Sequence, residues 1–73
     1  MANSFNFTEF KNGKIAINGL GQEVKFVTET RGKMMVMVTG KFGRTENIKM
    51  NLDGKKYTGV DTAYDLVAMK EAA

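Results

Sequence analysis

The chain has 73 residues and a formal net charge of +3, and it contains neither cysteine nor histidine. That length builds one small domain, and the two missing residue types exclude disulfides, thiolate or imidazole metal sites, and the commonest general bases and nucleophiles. A scaffold this small usually needs a staple, and with disulfide and zinc gone a partner subunit remains, so a homo-oligomer is expected.

The first predicted element is a short helix over about residues 6–12, NFTEFKN. Asn6 caps it, Glu9 three residues later completes a capping box, and Gly13 provides a left-handed stop. Phe7 and Phe10 lie three apart on one face and pin this turn onto a sheet.

After Gly13 the apolar period changes to two, and a sheet is expected over about 14–69. KIAI places Ile15 and Ile17 on one face. EVKFVTET sends Val24, Phe26 and Thr28 inward and Lys25 and Glu29 outward. KMMVMVTG is apolar throughout, which predicts a central strand covered on both faces. ENIKMNL alternates again, with Ile48, Met50 and Leu52 in and Asn47, Lys49 and Asn51 out. KKYTGV reads as a short edge strand, and YDLVAMK as a strand or a last helical turn. The connections NGLGQ, TRGK, GKFGRT and LDGK are turn sequences, and Asp53-Gly54 predicts a two-residue hairpin turn of type I′. Residues 70–73 read as a frayed tail. The fold class is mainly β (a small α+β domain): an antiparallel four- or five-stranded meander or partial barrel with a short N-terminal helix.

No apolar run approaches the roughly 20 residues that span a bilayer, and the start lacks a basic segment followed by an apolar one. A cytoplasmic protein that does not engage a membrane is expected. Asp61 and Asp65 are four apart and read as local caps; no calcium loop or phosphate cradle is recognisable, and neither a metal nor a cofactor is expected. The expectation is a protein that is not an enzyme.

Two sets of residues carry the functional reading. In a simple meander the turns around Arg31 and Asp53 fall at one end of the sheet, together with the start of the first strand. Lys14, Arg31, Lys33, Lys55, Lys56 and Tyr57 would then gather as an anion site, with Arg31 making the two-pronged contact. In the apolar strand, Met34, Val36 and Val38 face opposite to Met35 and Met37, so one set points away from a single-layer core. Met34, Val36 and Val38 are assigned to contact with a second subunit.

FTEFKNGKIAINGLGQEVKFV, the apolar strand, and NLDGKKYTGVDTAYDLVAM together resemble a group of short proteins encoded by tailed bacteriophages and prophages. The matching positions are Phe7, Phe10, Gly13, Lys14, Val24, Asp53, Gly54, Tyr57, Gly59, Asp65, Leu66 and Met69. The chain departs from the pattern with Ile15 where proline is common and with NGLGQ where an Asp-Gly-Arg turn is common. The resemblance implies an accessory role by occupancy: binding a host protein, a nucleic acid or a signalling nucleotide of host defence and withholding it, in the host cytoplasm. An anionic nucleotide requires a concave cationic pocket, whereas a host protein requires an exposed apolar patch. A small nucleic-acid-binding barrel is the alternative, with Tyr57, Tyr64 and Phe42 available for stacking. A structural virion component is the third reading.

Overall fold

The computed structural model describes residues 4–70; residues 71–73 of the expected frayed tail lie outside the described residues. In chain order the elements are α1 (Phe7–Lys11), β1 (Ala16–Asn18), β2 (Glu23–Thr30), β3 (Lys33–Thr39), β4 (Thr45–Asn51) and β5 (Leu66–Met69). The strands form one antiparallel sheet in the order β4-β3-β2-β1-β5, curled into a half-barrel. The first four strands run as the expected meander. The fifth crosses to the far side and pairs with β1, Ala16 opposite Met69 and Asn18 opposite Leu66. The chain between β4 and β5 closes part of the gap, with Asn51 N–H donating to Lys55 C=O at 2.9 Å and Leu66 N–H to Gly54 C=O at 2.8 Å.

α1 starts as its sequence dictates. The Asn6 side chain accepts the Glu9 N–H at 3.1 Å, and Gly13 follows at φ +110°. The second half of the capping box is replaced, because the Glu9 carboxylate turns to Lys14. Phe10 is fully buried and meets Phe5 and Phe26 edge to face at 5.4 and 5.8 Å, while Phe7 meets Phe26 at 6.2 Å. Such ring pairs add about 0.5–1.5 kcal/mol each beyond their buried area. They hold α1 on the concave face of the sheet, over a core of Val24, Met34, Val36, Val38, Ile48, Met50 and Leu66.

Several local expectations are corrected. β1 turns Ala16 and Asn18 inward, not Ile15 and Ile17. The cause is Asn18, whose Oδ1 accepts the N–H groups of Leu20 and Gln22 at 3.0 Å each and so fixes the following turn from inside. β2 carries a bulge between Phe26 and Thr28, which exposes Val27 and reverses the alternation beyond it. Thr28 therefore pairs with Met35 on the convex face, and Glu29 with Met34 on the helix side, where it meets Lys11 at 3.0 Å. KKYTGV forms no edge strand, only an isolated bridge between Tyr57 and Val60.

The Asp53-Gly54 turn is a three-residue loop with Gly54 at φ +89°, closed by Gly54 N–H on Asn51 C=O at 3.0 Å. The two-residue turn with two positive φ angles lies instead at Arg31 (φ +52°) and Gly32 (φ +78°), where Thr30 pairs with Lys33.

Candidate binding face and open cleft

Met34, Val36 and Val38, expected at a subunit interface, are core side chains with 1, 0 and 7% exposure. The helix covers their face of β3, so the half-exposed pair is Met35 and Met37.

The expected anion cluster is divided. Lys14 pairs with Glu9 at 3.5 Å beside α1. Arg31 stands exposed at the tip of the β2–β3 hairpin, and the Lys33 ammonium donates to the Asn51 side chain. Lys55 is paired with Asp61 and lies 3.6 Å from the Asp65 carboxylate. Lys56 packs over two rings, 4.5 Å from the Tyr64 centroid and 5.6 Å from that of Tyr57. Asn51 links Lys33 to the 55–58 segment through the Lys55 carbonyl and Thr58 Oγ1, so the structure brings these two parts side by side. Lys55 and Lys14 have their counter-charges there, which reduces the charge excess on which the anion site rested to Arg31, Lys33 and Lys56.

Asp65 organises this loop. It is 6% exposed and accepts from Lys56 N–H, Thr62 N–H and Thr62 Oγ1 at 3.1, 3.0 and 2.8 Å. Burial pushes its pKa up, but those hydrogen bonds and the Lys55 charge prevail and hold it below the usual carboxylate value. The hydrogen bond to Asp61 is the main cause that raises the Lys55 pKa. Asp65 is thus the local cap that its sequence position indicated.

A surface that sequence reasoning did not assemble lies on the convex side. Register places Lys25, Met37 and Asn47 in one row across β2, β3 and β4. Thr28, Met35 and Lys49 form the next row, and Thr30, Lys33 and Asn51 the last. Three lysines thus surround two methionines on a face otherwise built of threonine and asparagine. The one carboxylate on this face, Glu23 at its edge, is paired with Lys70, whose hydrogen bond and charge lower its pKa. Lys25 and Lys49 have no ion-pair partner among the described residues. Their outward direction was legible in the alternation of β2 and β4; their common neighbourhood required the register.

A second feature is an open cleft of about 440 Å³ on the side where β4 has no further strand to pair with. Val38 and Ile48 form its floor, and Leu20, Tyr64, Arg44 and Glu46 stand around it. Arg44 and Glu46 balance each other, so the cleft has no net positive charge for an anion.

Among the described residues no group of acidic side chains has the geometry to hold a metal ion, and no helix is long and apolar enough to cross a membrane. No protein-family model, no curated protein and no solved structure matches this chain.

Proposed function

We propose that the protein is a non-enzymatic phage accessory protein that acts by stoichiometric binding in the host cytoplasm. Its partner is a host protein, and its convex β2–β4 face covers an acidic surface of that protein, with counter-defence as the purpose. The observation that carries this reading is Met35 and Met37 on the outside of the sheet, ringed by Lys25, Lys33 and Lys49 with no unpaired carboxylate among them. Methionine adapts to the shape of a partner, and lysine stems extend the apolar area while their ammonium groups select an acidic counterpart. The absence of histidine and cysteine and the full engagement of the buried carboxylate of Asp65 support binding over catalysis. The resemblance to short phage proteins supports the context.

The nucleotide-sequestering reading is weakened, because Lys14 and Lys55 are paired with carboxylates. A second reading keeps a specific support: the unopposed lysines of the convex face suit the phosphate backbone of a nucleic acid.

The test is capture of host proteins on immobilised protein, comparing the parent with Lys25→Glu/Lys49→Glu and with Met35→Asp. The control is Lys11→Glu, on the opposite side of the sheet. A stoichiometric partner lost in the first two and kept in the control is expected. Binding of duplex or single-stranded nucleic acid that falls steeply between low and moderate salt would replace this reading with the second. A partner that survives both face variants would refute it.

A further inference from the structure

The β3–β4 connection presents Phe42 to solvent in a conformation that costs energy. Phe42 is 99% exposed and sits at φ +62°, followed by Gly43 at φ +74°. A left-handed backbone at a residue with a Cβ costs roughly 1–2 kcal/mol, and an exposed phenyl ring recovers none of it. The loop is nevertheless closed by Gly40 N–H on Arg44 C=O at 2.6 Å, so the ring is held out by a defined turn. Lys41 and Arg44 flank it, and neither has an ion-pair partner among the described residues.

Beside this knob lies the cleft floored by Val38 and Ile48. A shallower depression containing Phe42, Lys41 and Arg44 shares Leu20 and Arg44 with it, so knob and hole are contiguous on one surface. The wall of the hole carries Glu46, exposed and likewise unpaired among the described residues. A surface that carries both a knob and its hole can pair with itself about a two-fold axis, each knob entering the other's hole.

We infer that the occupant of the cleft is Phe42 of a second copy of this chain. In the resulting symmetric dimer the ring of each protomer packs on Val38, Ile48, Leu20 and Tyr64 of its partner. Lys41 of each lies against Glu46 of the other. The arrangement covers the open side of the half-barrel and leaves the convex lysine face of both copies free. It is independent of the function proposed above, because Met35, Met37, Lys25, Lys33 and Lys49 line neither the cleft nor the depression around Phe42.

The experiment is sedimentation equilibrium across a micromolar concentration range. The parent is expected to dimerise, and Phe42→Asp, at a fully exposed position in the protomer, to weaken the dimer at least about 30-fold, as loss of an interface anchor does. Phe42→Trp supplies a direct reading: its emission shifts to the blue as concentration rises, because the indole leaves water. Charge exchange gives the geometry. Lys41→Glu alone and Glu46→Lys alone each place like charges in both symmetry-related contacts and dissociate. An equimolar mixture of those two variants forms a heterodimer, and the doubly exchanged chain forms a homodimer. A parent that stays monomeric throughout the range, a Phe42→Asp variant that dimerises as the parent does, or a mixture that fails to reassociate would each overturn the inference.

Discussion

Gly54 offers a substitution whose cost follows from two separable causes. Its φ of +89° is unfavourable for any residue with a Cβ, and a Cβ built there falls 2.9 Å from Phe5 Cδ2 and 3.2 Å from Leu66 Cβ. Leu66 is fully buried, and its N–H donates to the Gly54 carbonyl, so that side has no room to move. The backbone contributes roughly 1–2 kcal/mol and the overpacking about 1–3 kcal/mol, so Gly54→Ala should lose about 2–5 kcal/mol. Stability of about 0.05–0.15 kcal/mol per residue leaves a domain of this size about 4–11 kcal/mol in all, so the loss is a large share of it. The melting temperature should fall by at least about 8 °C, since each kcal/mol moves it roughly 4–8 °C in domains of this length.

Gly59→Ala is the matched control. Its φ is +76°, but nothing lies within 4 Å of the added Cβ, so it incurs only the backbone cost. Urea denaturation of both variants isolates the packing term as their difference. Repeating Gly54→Ala in a Phe5→Ala background should recover part of the loss by removing the nearest obstruction. Equal stability of the two alanine variants would refute the close approach of Gly54 to Leu66 and Phe5, and with it the way the 52–65 segment returns to the sheet.

Asp65→Ala leaves two backbone N–H groups and a hydroxyl without their acceptor and should cost on the order of 2–4 kcal/mol, read by denaturant unfolding. The lowered pKa of Asp65 means that its stabilisation is present above the unfolded value and disappears as pH falls through the folded one. Parent stability should therefore drop below about pH 4, and Asp65→Asn should show less of that drop. Arg31→Asn suits the left-handed position of the hairpin turn and should raise stability by about 0.5–1 kcal/mol, measured by thermal melting. Asn18→Ala removes the acceptor that holds Leu20 and Gln22 and should cost about 1–3 kcal/mol, with faster amide exchange at those two positions.

The helix cap at Asn6, the stop at Gly13, the alternation of β4 and the turn glycines were legible because each is decided within a few residues. A cap needs a side-chain oxygen at one position, and a left-handed turn needs a residue without a Cβ. Lys25 and Lys49 could likewise be read as outward from their own strands. The candidate face could not, because it depends on Met35 standing opposite Lys49 and Met37 opposite Lys25, and pairing register is not written within a single strand.

The sequence alone determined a small, mainly β domain, because period-two alternation and glycine-marked turns follow from local backbone geometry. Tertiary structure decided three other matters. β3 is apolar on both faces, so nothing local says which one is the core; the docking of Phe10 and α1 buries Met34, Val36 and Val38 and turns Met35 and Met37 out. The bulge at Val27 redirects Thr28 and Glu29, an outcome set by pairing with β3. The last strand joins β1 instead of β4, because buried Asp65 gathers the preceding loop and delivers Leu66 beside Asn18. Each of these choices is made by contacts between residues far apart in the chain, whose free energy exists only once the sheet has closed around them.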